Sequence, residues 1–141
     1  MATTATVTLS SDIFSGFSGY SKTMTMYKDG SLVDIDSSTG FSKRKLASTT
    51  KVDLITMANE LVEPLDNTGA KVYIKHTGNG KGIFDKSVGV TVLINSVEIG
   101  VLYGGDWLLM PVAVVDAEDI EVKPGSDATV VLEYVMFYEE G

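Results

Sequence analysis

Thr129-Val130-Val131-Leu132-Glu133-Tyr134-Val135-Met136-Phe137-Tyr138 ends a series of alternating apolar and polar stretches that begins near Lys71. Alternation puts Val130, Leu132, Tyr134, Met136 and Tyr138 on one face of a strand, with Val131, Glu133, Val135 and Phe137 on the other. Both faces carry apolar or aromatic side chains. Such a strand has to be covered on two sides, one by its own domain and the other by further packing, for which a second subunit is one candidate.

Upstream, Val72-Tyr73-Ile74-Lys75 reads as a strand, with His76 at its junction to a flexible loop, Thr77-Gly-Asn-Gly-Lys-Gly82. Val88, Val90, Val92 and Ile94 share one side of a long strand. Asn95-Ser96 turns it into a hairpin partner, Val97 to Tyr103. Gly104-Gly105-Asp106 is the next turn, before Trp107-Leu-Leu-Met110. Pro111 has no N–H for a ladder, so it belongs at an edge, a bulge or a strand end. Ile120 and Val122 form a short strand, and Pro124-Gly125-Ser126-Asp127 turns the chain into the final one.

Nearer the N-terminus, Thr3 to Leu9 alternates as a first strand, and Thr23 to Lys28 is expected as another. Asp29-Gly30 is a strong hairpin signal leading to Leu32–Ile35. Ser37 to Gly40 reads as a turn. From Val52 to Leu65 a short helix and a strand compete; the β-branched start favours a strand first, with a loop or one helical turn after Met57. Strands at this spacing, joined by Gly/Asp/Asn turns, predict an all-β fold, an antiparallel β-sandwich or jelly roll of roughly eight strands. One domain spanning residues 1–141 is expected. Within it, residues 1–20 form an N-terminal arm and loop used in contacts, the loop carrying Phe14 and Phe17.

The chain has no Cys, which excludes disulfides and thiolate metal sites. Its start lacks the basic and apolar regions of a secretory signal peptide, and no apolar run is long enough to span a bilayer as a helix. The net charge of -8 is unevenly placed. Residues 1–97 hold 10 Lys/Arg against 9 Asp/Glu, whereas residues 98–141 hold one Lys against 10 Asp/Glu. An acidic C-terminal field opposes phosphate-backbone binding and suits solubility or a basic protein partner. Neither nucleic acid nor membrane is expected as a partner.

Candidate chemistry is sparse. His76 is the only histidine, and no Gly-x-Ser-x-Gly elbow accompanies it. Gly78-Asn-Gly-Lys-Gly82 lacks the Lys-Ser/Thr ending of a phosphate loop. Asp34-Ile-Asp36 opens like a calcium loop but misplaces its Gly and lacks the closing Glu. The acidic group Asp116, Glu118, Asp119 and Glu121 could hold a hard cation only through alternate members. No enzyme activity, cofactor or metal is therefore expected. Lys43-Arg44-Lys45 is the one compact basic cluster, suited to an acidic patch on a neighbouring subunit. Trp107, Tyr103, Tyr134, Phe137 and Tyr138 are either core rings or a stacking platform for sugars. The candidate interface set is Phe14, Phe17, Lys43, Arg44, Trp107, Tyr134, Phe137 and Tyr138.

Val72-Tyr-Ile-Lys-His-Thr-Gly78, Ile99 to Pro111 and Leu132-Glu-Tyr-Val-Met-Phe137, together with the Thr-rich opening, resemble small β-rich virion structural proteins of tailed bacteriophages. Those proteins often have Asn where this chain has His76. The resemblance implies a capsid decoration (cement) protein binding the major capsid protein or other virion proteins. It further implies a homo-oligomer, a trimer or higher, made in the host cytoplasm and located on the capsid surface. A tail, neck or fibre component and a receptor- or glycan-binding β-module are the alternatives.

Overall fold

The computed structural model describes residues 2–9, 20–27, 35, 37–56, 70–79, 88–112, 119–127 and 129–138. Within them run eleven strands: β1 (Thr4–Leu9), β2 (Tyr20–Thr25), β3 (Ser37–Ser38), β4 (Ser42–Leu46), β5 (Val52–Ile55), β6 (Ala70–Asn79), β7 (Val90–Ile94), β8 (Val97–Leu102), β9 (Trp107–Val112), β10 (Ile120–Pro124) and β11 (Val130–Tyr138). All registered pairs are antiparallel. The protein is all-β, with more strands than the roughly eight expected.

Three sheets form. β1 and β2 make a two-stranded ribbon; β5-β10-β7-β8 make a four-stranded sheet; β3-β11-β6-β9 make the third, with β4 also on β11. β11 is therefore interior, with β6 on one side and β3 and β4 on the other. Pro111 lies on the edge strand β9, where its missing N–H costs no ladder bond. The chain passes repeatedly between the two larger sheets, and one apolar cluster draws on both. Val72, Ile74, Val130, Leu132 and Met136 come from the five-stranded sheet, and Ile55, Val90, Val92, Ile120 and Val122 from the other.

Where strands depart from expectation, the causes are local. The segment read as a turn, Ser37 to Gly40, begins with β3. Ser38 opposes Phe137 and Ser42 opposes Tyr134, so four steps on this side meet three on β11. The extra residue is taken up around Gly40, at φ 73, as in a bulge. Thr39 secures it by donating its N–H to the Met136 carbonyl at 2.9 Å and accepting the Met136 N–H on Oγ1 at 3.0 Å. The compact basic cluster Lys43-Arg44-Lys45 lies within β4. Residues 52–55 are strand, as the β-branched start suggested; residues 57–69, the Asp29-Gly30 turn, Leu32 to Asp34 and the loop with Phe14 and Phe17 lie outside the described residues. The Asn95-Ser96 turn is as expected, with both residues at positive φ, 48 and 64, the signature of a two-residue type I′ hairpin.

β11 is covered on both faces. Val130, Leu132 and Met136 point into the shared cluster, with Tyr134 and Tyr138 packed against it. Val135 and Phe137 point the other way, into a cleft to which Thr4, Ala5 and Met26 at the root of the ribbon also contribute. Val135 is 1% exposed although it lies outside the main cluster. Truncation after Glu133 would strip β11 of Val135 and Met136 and of its β3 pairing. The expected result is loss of cooperative unfolding, seen by circular dichroism on thermal melting.

Candidate functional site

The buried titratable groups show what the interior polar chemistry does. His76 lies inside β6, not at a strand end, and is fully buried. Between Leu132↔His76 and Val130↔Asn79, β6 spends three steps against two on β11. Gly78, at φ 105, allows this bulge. A bulge leaves backbone groups without ladder partners, and side chains supply them here. Thr77 Oγ1 donates to the Val131 carbonyl at 2.8 Å, and the Gly78 N–H donates to His76 Nδ1 at 3.0 Å. An Nδ1 that accepts fixes the proton on Nε2, which donates to the Val88 carbonyl at 3.1 Å. The imidazole is thus neutral, saturated, and tied to the segment entering β7 in the other sheet. This arrangement holds backbone and leaves no ring nitrogen for a substrate.

Among the described residues, Glu121 on β10 is the second buried ionisable group. Its Oε1 accepts the Ser96 N–H at 2.6 Å and the Ser96 hydroxyl at 3.3 Å, and its Oε2 meets Lys51 Nζ at 2.5 Å. Lys51 also donates to Ser96 Oγ at 3.0 Å. The hydrogen bond from Lys51 is the largest influence holding the carboxyl below its ordinary value of 4.5, opposed by burial and aided by the Ser96 bonds. This triad anchors the β7–β8 turn to β10. Of the acidic group expected around it, Asp116 and Glu118 lie outside the described residues. Among the described residues no three His, Asp or Glu side chains are grouped to hold a metal ion.

The basic cluster divides on β4, where alternation sends Lys43 and Lys45 to one face and Arg44 to the other. Lys43 is exposed and opposes Glu133 in register. Half-buried Arg44 donates from Nη1 to the Asp53 carbonyl at 2.5 Å, linking β4 to β5 across the two large sheets. Arg44 is thereby committed within the chain. Tyr134 and Tyr138 are half-buried against the core, and Phe137 is half-buried in the cleft. Trp107, at the start of β9, is 50% exposed and is the most accessible described aromatic of the expected interface set. Phe14 and Phe17 are outside the described residues.

The cleft between the ribbon root and the five-stranded sheet encloses about 270 Å³. Phe41, Tyr73, Leu109, Val135 and Phe137 contribute apolar lining, and Glu133 is the one charged residue among its described lining. Phe41 and Tyr73 meet edge to face, with centroids 6.1 Å apart and planes at 74°. Burial, and then the negative charge of Glu133, push the Tyr73 phenol up from its ordinary value. The phenol therefore stays protonated through neutral pH.

Sequence reading missed the exposed apolar side chains of β8. Val97, Ile99 and Val101 are exposed on this edge strand, and Tyr103 follows them. Val101 and Tyr103 lie over Gly89, where a Cβ would come within 2.7 Å of Val101 Cγ1. Alternation alone announces a strand but not which of its sides a neighbour covers. Neither protein-family models nor curated proteins show a match to this chain.

Two substitutions test the polar framework. His76→Ala leaves the Gly78 N–H and Val88 carbonyl unpaired and opens a cavity, so a loss of about 3 kcal/mol is expected in denaturant unfolding. His76→Asn, able to accept from Gly78 but too short for Val88, should lose less. Glu121→Gln should cost about 1–3 kcal/mol at pH 7. The lowered Glu121 pKa stabilises the native state above the unfolded glutamate value, and that stability is lost as pH falls through the folded value. The variant should therefore show a flatter acid limb than the parent in melts from pH 7 downward.

Proposed function

We propose that this chain is a virion structural protein: a capsid decoration (cement) protein that stabilises a tailed-phage head by binding the lattice of the major capsid protein. In this reading it is made in the host cytoplasm, acts on the capsid surface as a homo-oligomer of three or more copies, and performs no catalysis. Its four- and five-stranded sheets are the two layers of a β-sandwich with jelly-roll-like alternation of the chain. Support for the layered arrangement comes from the single apolar cluster drawing on both sheets, and from the Arg44 and His76 hydrogen bonds that cross between them.

The observation that carries the assembly reading is where polar and apolar groups are placed. The buried His76 and Glu121 have their hydrogen-bonding capacity engaged by framework partners, while large apolar side chains stand exposed on β8 and the ribbon. Exposed apolar strands suit repeated contact with other subunits. Small patches repeated over many symmetry-related copies give a cumulative grip on a lattice. Lys43 and Trp107, exposed on β4 and β9, are candidate contacts to the capsid, as are Phe14 and Phe17. The exposure of Trp107 also favours a second reading, a receptor- or glycan-binding module in a tail or fibre, because an accessible indole stacks on a pyranose ring.

Mass spectrometry and immunogold labelling of purified particles test the proposal. Many copies on the head surface are expected, with heads lacking the protein less resistant to heat. Absence from particles overturns it. Localisation to the tail, together with glycan-array binding abolished by Trp107→Ala, transfers the assignment to the second reading.

A further inference from the structure

At its root the β1–β2 ribbon meets the rest of the molecule, where Thr3 Oγ1 donates to the Ile35 carbonyl at 3.4 Å. The Met26 N–H donates to the Thr3 carbonyl at 2.8 Å, and Thr4, Ala5 and Met26 line the cleft described above. From root to tip, six-residue strands span about 20 Å. Leu9 at the far end is 54% exposed, and Met24, opposite Ala5 near the root, is 50% exposed. Register places Ala5 opposite Met24, Val7 opposite Lys22, and Leu9 opposite Tyr20. The alternate positions pair hydroxyls, Thr6 with Thr23 at 2.7 Å and Thr8 with Ser21 at 3.1 Å. The ribbon thus has a hydroxyl face and an apolar face, and a two-stranded hairpin is marginal in water unless something packs on it.

β8 has the reciprocal need. Val97 is 65% exposed, Ile99 43%, Val101 47% and Tyr103 44%, on or just after the strand that forms one edge of the four-stranded sheet among the described residues. The charges also match. Lys22 is the only charged residue of β1 and β2, and Glu98 the only one of β8. Both are exposed, and neither has an ion-pair partner among the described residues. We propose that the β1–β2 ribbon of one copy lies along the β8 edge of a second copy, its apolar face on Ile99, Val101 and Tyr103 and its Lys22 beside Glu98. Direct β8-to-β8 pairing is the poorer solution. It would bring two Glu98 carboxylates into one interface, and the register shift between Val92 and Leu93 already interrupts the ladder there.

Ribbon and edge are different surfaces, so the contact is head to tail, and it links copies into a ring where the rotation between them closes and into an open chain where it does not. This deepens the assembly reading above and rests on it for the premise that copies meet. The chain's lack of cysteine allows a clean test on the full-length protein. Oxidation of the K22C/E98C double variant should give disulfide-linked species above the dimer, and neither single variant should. A dimer from E98C alone, or a parent chain that sediments as a monomer at high concentration, overturns the proposal. In parallel, K22E and E98K should each weaken association about fivefold, and the double exchange should restore it. Failure to restore would also overturn it. Cross-linked oligomers of a protein absent from particles would uphold this contact while removing the virion reading.

Discussion

The imidazole of His76 joins what the fold would otherwise leave apart. It takes the Gly78 N–H that the β6 bulge strands, and gives its own proton to the Val88 carbonyl at the entrance to β7. The bulge itself shifts the pairing of β6 with β11 between Leu132 and Val130. A buried amide and a buried carbonyl without partners would each cost a large part of a small domain's net stability. One neutral ring removes both penalties and couples two sheets. Arg44 makes a comparable link through the Asp53 carbonyl, nearer the β4 and β5 edges.

The remaining architecture follows from β11 being apolar on both faces. Its Val130, Leu132 and Met136 side is covered by the main cluster. Its Val135 and Phe137 side meets the ribbon root, Phe41, Tyr73 and Leu109. The ribbon therefore contributes to the cover at one end while exposing its far end, and the cleft beneath it is a product of this incomplete cover. Glu133 sits on that second face between Lys43 and Lys75 in register, so opposite charges alternate across three strands.

Legibility in the sequence tracked how local the determining interaction is. The β7–β8 hairpin was readable because alternation and the Asn95-Ser96 turn lie within a few residues of each other. β11 and its two apolar faces were readable for the same reason. β4 was hidden because Lys43-Arg44-Lys45 looked like a charge patch, although charged side chains are how edge strands are commonly kept from pairing elsewhere. β3 is two serines long and exists only because β11 lies beside it. The burial of His76 depended on a bulge that the glycines after it disguised as a loop. The Lys51–Glu121 pair is separated by five whole strands, β5 to β9, and no spacing rule connects its members. The exposed edge of β8 escaped because periodicity gives a strand's two sides without saying which neighbour is missing.

The interior place of β11 also sets the order in which the molecule can come into being. It is the last of these strands to leave the ribosome, yet β3, β4 and β6 all pair with it. Until it emerges, β3 and β4 have no registered neighbour, and β6 has only β9. The ribbon can zip early from local contacts, whereas the five-stranded sheet must wait and then close loops of many tens of residues. During synthesis the nascent chain thus carries unpaired, partly apolar strands, the kind of segment that chaperones bind.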